Sequence, residues 1–226
     1  MRRPDDRGGQ ICDVFDLGAD VAAIGAHLAQ DPLLAPLIAE RPGLRAPGGW
    51  DGFELAVRAV LGQQITVEAA RRLASRLTQI CGTTFAPGQG SRPALRRAFP
   101  LPAQVANADL STLGMPVARK AALLALAEAA LRDPSLFHPR GTVEETVARL
   151  RAIRGIGEWT AQYIALRAVR ETDAFPASDI GLLRGAAIRV GARPSPAVLQ
   201  DRAETWRPWR AYAAQHLWAA DAAAQG

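Results

Sequence analysis

Asp179 is one of two acids on which chemistry in this sequence could turn. It ends the segment Phe175 to Asp179, FPASD, and that segment follows an amphipathic run, a Gly-x-Gly turn at Gly155 and Gly157, and a second helical run. Two glycines one residue apart permit positive φ and close backbone approach. Their N–H groups, with the N-terminus of the next helix, form a concave donor array for one phosphate oxygen. The order of residues therefore sets a carboxylate beside a phosphate grip that carries no sequence information. An ionised carboxylate can stabilise positive charge developing in a transition state and orient a water. Asp179 can equally cap a helix starting at Ile180, and the two roles are compatible. Asp173 is the competing acid, and its place in the linker before Phe175 suits it to anchoring a turn.

The elements that position these groups are helical. Thr142 and Glu145 form a capping box, and Val143, Val147, Leu150 and Ile153 share one face. The pattern predicts helices near 21–30, 51–61, 66–81, 118–132, 143–153, 158–170, 179–190, 196–204 and 208–220. Gly82, Pro134 and Gly191 follow three of them, and Ser195 with Pro196 opens another. Thr84 to Pro102 contains Pro87, Gly88, Gly90, Pro93 and Pro100, and reads as a surface loop with a short helical turn.

With 226 residues and 49% hydrophobic content the chain is ample for one large domain or two small ones. No run of about 18 uncharged apolar residues occurs, and the opening lacks the apolar stretch of a secretion signal, so a soluble, cytoplasmic protein is expected. Cys12 and Cys81 offer neither metal spacing nor a disulfide framework. Lysine and arginine total 27 against 22 acids, and Lys120 is the one lysine. Guanidinium forks suit phosphates. Arg184, Arg189 and Arg193 either face a phosphate or form a solvated helix face.

The hairpin block with its FPASD tail resembles the helix-hairpin-helix DNA glycosylases, which end that block in a Gly/Pro-rich loop and a catalytic Asp. Three further segments, Trp50 to Leu77, Leu110 to Leu131 and Ala203 to Trp218, look like successive parts of the bacterial alkylation-inducible 3-methyladenine (type II) branch. The resemblance runs from about Phe15 to Trp218. It implies an all-α fold of two helical subdomains with a DNA-binding cleft between them: residues 52–171, containing the hairpin at about 143–170, and residues 15–51 plus 172–226, after a tail of 1–14. That branch carries a mixed α/β N-terminal domain before the segment matched here by Phe15 to Gln30, and that domain is expected to be missing.

The resemblance also implies roles. Asp179 matches the catalytic Asp, while Ser178 stands where many members have a second acid. Relatives that also cut the strand carry a lysine at the position of Trp159, which attacks the sugar and forms a Schiff base. A tryptophan cannot, so a monofunctional glycosylase of base excision repair is implied. Alkylation of a purine, as in 3-methyladenine or 7-methylguanine, makes the base a cation and a good leaving group. Trp159 and Tyr163, four apart on one helix face, and Trp218, which matches a pocket tryptophan, would then select charge by cation–π stacking, at about 0.5–2 kcal/mol per ring. Each of the three can instead be plain core. Trp206 and Trp209 are assigned to packing, Trp50 to nothing, and His216 to a satisfied inward-facing position.

For DNA binding the candidates are Gly155, Gly157, Thr160, Gln63 and Gln64. The two glutamines lie where the family places the residue that fills the gap left by a flipped base, and Gln64 is the choice over Gln63; a polar interhelical cap is the other reading. Backbone carbonyls of Arg151, Ile153 and Ile156 would hold a sodium or potassium ion by resemblance alone. No cofactor is required and no iron–sulfur cluster is expected. The expected partner is duplex DNA carrying alkylated bases, bound by a monomer with no membrane attachment. Two alternatives stay open: a glycosylase for oxidised or mismatched bases, and a non-catalytic hairpin module that only grips DNA.

Overall fold

The computed structural model describes residues 7–86 and 96–225. In chain order its α-helices are α1 (Arg7–Phe15), α2 (Val21–Leu28), α3 (Ala35–Glu40), α4 (Gly52–Leu61), α5 (Val67–Cys81), α6 (Pro102–Ala106), α7 (Val117–Arg132), α8 (Val143–Arg151), α9 (Glu158–Ile164), α10 (Ile180–Val190), α11 (Pro196–Ala203) and α12 (Arg210–Gln225). Short 3-10 turns occupy Ser111–Leu113 and Glu204–Trp206. The fold is all-α. Among the described residues, β pairing is confined to an isolated bridge between Thr84 and Arg97.

Side chains set the helix starts. Asp20, Asp51, Thr66, Thr142, Asp179 and Ser195 each accept a first-turn N–H, a cap worth about 1 kcal/mol. The Thr142–Glu145 capping box forms in both directions, at 3.2 and 2.9 Å. Gly191 ends α10 in the left-handed conformation.

Helices that sequence periodicity did not predict are short or weakly patterned. Helix α1 lies mostly inside the expected tail and contains Gly8 and Gly9, both poor helix formers. Six-residue α3 relies on burial of Leu37 and on packing against α12. Five-residue α6 starts at Pro102, with the Gln104 side chain accepting the Leu101 N–H. The predicted helix over 158–170 is α-helical only to Ile164, widens into a π turn over Ala165–Val169, and ends at Arg170 in the left-handed conformation. Within the Thr84–Pro102 stretch, the arms pair through Phe85 N–H to Arg96 O and Ala98 N–H to Thr83 O; Pro87, Gly88, Gly90 and Pro93 lie outside the described residues.

Two packings position the site. Helix α4 buries Ala56, Val57, Val60 and Leu61 against α7, α9 and the π turn. Full burial of each large aliphatic side chain contributes about 1.5–3 kcal/mol. Helix α10 lies against α12 so closely that a Cβ on Gly185 would stand 2.1 Å from the carbonyl oxygen of Leu217. Only glycine fits there. That contact fixes the register of α12 and so brings Trp218, the residue after Leu217, to the N-terminus of α10. No helix of the described residues is long and apolar enough to cross a membrane.

Candidate active site

Residues 152–157 join α8 to α9 as the hairpin. Gly155 has φ +84, and a Cβ there would lie 2.5 Å from Ala122 Cβ on α7. Glycine is thus required twice over, by conformation and by space. Gly157 differs from the sequence expectation, because its φ is −84 and its ψ 177. It serves as the N-cap of α9, a position with extended backbone, so the turn needs only one left-handed residue. A Cβ on Gly157 would meet nothing within 4 Å. The space above it is open to the outside.

The FPASD segment is built as a bracket for its last residue. Phe175 is buried, its ring set edge-on to Trp206, and its N–H donates to Gln162 Oε1 on α9 at 2.9 Å. Asp179 N–H then donates to the Pro176 carbonyl at 2.8 Å. The carboxylate takes four hydrogen bonds. Oδ1 accepts from Gly181 N–H (2.9 Å), Leu182 N–H (3.1 Å) and Trp218 Nε1–H (2.8 Å), and Oδ2 from Trp159 Nε1–H (2.9 Å). Every one of these donors is neutral. Asp179 caps its helix and is held between two indoles.

The three aromatic residues named from the sequence converge there. Trp159 and Tyr163 stack with centroids 5.3 Å apart and planes 17° from parallel. Tyr163 meets Trp218 edge-on at 6.2 Å. All three are half-buried, so their rings form a wall that keeps an open side.

The two glutamines after α4 behave differently. Gln63 Nε2 donates to Thr160 Oγ1 at 2.9 Å and to the Gly155 carbonyl at 3.4 Å, which ties the end of α4 to the hairpin. Thr160 is buried, its hydroxyl occupied by Gln63. Gln64 is exposed and holds φ +57, a left-handed conformation rare for a residue with a Cβ.

Other candidates are committed elsewhere. Asp173 is bound by Arg207 and by buried Arg210, as suits a turn anchor. Lys120 Nζ donates to the Ser111 carbonyl at 2.7 Å. Arg189 pairs with Glu40, and Arg184 with Asp221. His216 is buried, but its Nδ1 has no hydrogen-bond partner, so the expected satisfied histidine is satisfied only in part. Burial pushes its pKa down. Trp206 is core, with Nε1 on Asp31, and Trp209 packs on Tyr212. Sequence reasoning missed the anchor at Gln162 and the Arg184–Asp221 pair beside the carboxylate; Asp221 follows Trp218 by three residues on one helix, the spacing that could have shown it. A cavity of about 350 Å³ elsewhere is lined by Asp13, Asp16, Asp20, Arg170, Trp209 and Tyr212 among others. None of Asp179, Trp159, Tyr163 or Trp218 lines it.

Residues 8–51 match the family model of the AlkA N-terminal domain. In this chain that stretch holds α1, α2 and α3. The chain is 41% identical over 206 residues to a probable bifunctional transcriptional activator/DNA repair enzyme AlkA of Mycobacterium tuberculosis, covering 91% of this chain and 40% of the relative. It is 40% identical over 208 residues to DNA-3-methyladenine glycosylase 2 of Escherichia coli, covering 91% and 68%. Among solved structures, 3-methyladenine DNA glycosylase of Schizosaccharomyces pombe in complex with abasic DNA superposes with a TM-score of 0.69 at 25% identity, over 87% of this chain and 95% of that one. This chain belongs to the DNA-3-methyladenine glycosylase 2 (AlkA) family of helix-hairpin-helix proteins.

Proposed function

We propose that this protein is a monofunctional DNA glycosylase of base excision repair, which flips an alkylated base of the 3-methyladenine or 7-methylguanine type out of duplex DNA and hydrolyses its N-glycosidic bond. The observation that carries the reading is the Asp179 carboxylate, bonded among the described residues only by neutral N–H groups, in a wall of aromatic rings. A charge fixed in this way by neutral donors suits a sugar that turns cationic as the base departs.

The alkylated base enters as a cation against the faces of Trp159, Tyr163 and Trp218. As the bond from the sugar carbon to the base breaks, its electron pair goes to the base, which leaves neutral. Water adds its oxygen to the same carbon, Asp179 orients it, and its proton passes to solvent. The lysine needed for a Schiff base is absent at Trp159, so the strand stays intact at an abasic site. The open space above Gly157 suits a phosphate on the hairpin. Exposed Gln64 is the group for the gap in the duplex, while Gln63 braces it from behind. Residues 52–171 and residues 15–51 with 172–226 would flank the DNA as two subdomains. Carbonyls of Arg151, Ile153 and Ile156 offer hard oxygen donors for a sodium or potassium ion; that of Ile153 accepts the Ile156 N–H at 3.0 Å and keeps a second lone pair.

A base-release assay on duplexes carrying single defined lesions tests the reading. Methylated purines should be released, the strand should remain whole until treated with alkali, and borohydride should trap no covalent complex. Release of oxidised or mismatched bases alone would support the alternative glycosylase, and tight duplex binding with no release would reduce the protein to a hairpin module.

A further inference from the structure

Arg184 and Asp221 face each other across α10 and α12 next to Asp179. Arg184 Nε donates to Asp221 Oδ1 at 2.8 Å and Nη2 to Oδ2 at 2.7 Å, a two-pronged fork. A Cβ on Gly181 would lie 3.1 Å from Asp179 Oδ1 and 3.3 Å from Asp221 Oδ2, so the two carboxylates sit about 6 Å apart or less on either side of that glycine. Arg184 lies within Coulombic reach of Asp179 without bonding to it.

Each member of the pair, left alone, would damage a working Asp179. A free Asp221 would be a like charge that favours the protonated form of its neighbour. A free Arg184 would be a counter-charge for the carboxylate, and its side chain, 47% exposed, has room to move. Bonded to each other, they present no net charge. Among the described residues the two indoles bond Asp179 and Tyr163 packs against both of them; Glu158 on α9 is turned to Arg151 at 2.9 Å.

We propose that the Arg184–Asp221 pair is the device that leaves Asp179 both ionised and unpaired, with Asp221 holding the guanidinium off the site carboxylate and Arg184 cancelling the like charge of Asp221. Both are positioning residues, and the proposal rests on the glycosylase reading above. The fork also holds the Asp221 carboxyl below the ordinary carboxylate range against the effect of its burial.

The two single variants move in different observables. Asp221→Asn frees the guanidinium to pair with Asp179, and single-turnover release of a methylated purine should fall by about tenfold or more across the pH plateau, since unit charges a few ångströms apart near a surface interact strongly. Arg184→Gln leaves the like charge uncancelled. The plateau should survive, and the acid limb of the pH–rate profile should move to higher pH. The double variant Asp221→Asn/Arg184→Gln carries neither charge and should return to within about threefold of wild type, with its acid limb at the wild-type position, because two opposing charge effects have been removed together.

A double variant that folds, by circular dichroism, yet stays as slow as Asp221→Asn would overturn the proposal. So would an acid limb unmoved in Arg184→Gln. The double variant decides the matter even if a single variant fails to fold. Wild-type protein that releases no methylated base would instead remove the glycosylase reading itself, before any variant is made.

Discussion

Asp31 and Asp179 are built from nearly the same parts and differ in one. Each accepts backbone N–H and a tryptophan Nε1–H: Asp31 from Leu33 at 2.7 Å and Trp206 at 2.7 Å, Asp179 from Gly181, Leu182 and two indoles. Asp31 also receives the fork of Arg202, with Nε 2.8 Å from Oδ2. That arginine commits its charge to the fold, joining the loop after α2 to α11. Among the described residues Asp179 accepts from no arginine, which leaves its charge unpaired there. The same division recurs in two neighbouring pairs. Gly155 is packed against α7, whereas Gly157 faces open space. Gln63 is bonded to Thr160, whereas Gln64 stands exposed. In each pair one residue holds the structure and its near-twin is left available, which separates mutations that unfold the protein from mutations that silence it.

The largest expected effect breaks the contrast at Asp179, the acid proposed for the chemistry. Asp179→Asn keeps the shape and one capping oxygen, so the fold and duplex affinity should survive. Losing a preorganised charge of this kind costs about 10²–10³ in rate, or about 3–4 kcal/mol. Single-turnover release of a methylated purine measures it. A variant with near-normal release would place the chemistry elsewhere.

Asp31→Asn is the mirror experiment. Burial raises the Asp31 carboxyl, but the Arg202 fork with the Leu33 and Trp206 donors outweighs it and holds the pKa below its ordinary value. A depressed folded-state pKa contributes stability that is present above the unfolded value, near pH 4, and lost as pH falls through the folded one. The Asn variant should therefore lose about 1–3 kcal/mol at neutral pH and less below pH 4, while its per-molecule excision rate stays at the wild-type level. Thermal melts at pH 7 and pH 3 check the sign. An equal loss at both would mean that shape, not charge, matters at Asp31.

Much of this contrast was legible in the sequence, for reasons that particular residues make plain. Trp159 and Tyr163 stand four apart on one helix face and Asp179 at a helix start, and such local geometry survives into three dimensions; Trp218 and the catalytic match of Asp179 came from the family resemblance alone. Thr142 with Glu145 and Ser195 with Pro196 mark helix starts through bonds three residues long. What was not legible depends on contacts between distant segments. Arg202 meets Asp31 across 171 residues and Gln63 meets Thr160 across 97, and no pattern along the chain announces either. The choice between Gly155 and Gly157 as the left-handed residue likewise depended on Ala122, which lies on another helix.

A substitution at Gly157 sharpens the comparison inside the hairpin. Gly157→Val adds a branched side chain where nothing within 4 Å opposes it, and extended backbone accepts valine. Stability should change by under about 1 kcal/mol, yet the side chain would stand where the proposed phosphate approaches. Affinity for damaged and undamaged duplex should fall alike, by about tenfold, with a flatter salt dependence. Gly155→Val should instead fail in the melt, since it meets both positive φ and Ala122. Fluorescence anisotropy at several salt concentrations distinguishes the two; unchanged affinity in folded Gly157→Val would remove the phosphate from this turn.

The smallest effect belongs to Gln64. A non-glycine residue in the left-handed region costs about 1–2 kcal/mol, and such strain persists where the surroundings impose it and often where function uses it. Here its neighbour Gln63 is locked to the hairpin. Gln64→Gly should relieve the strain and raise the melting temperature by a few degrees, which a purely structural cap would not do. Both Gln64→Gly and Gln64→Ala remove the side chain that would fill the gap behind a flipped base. Each should slow excision from duplex a few-fold more than from single-stranded DNA, because only a duplex closes when nothing holds it open. Melting and excision thus move in opposite directions in the glycine variant. Equal losses on the two substrates would return Gln64 to the structural side of the comparison, beside Gln63.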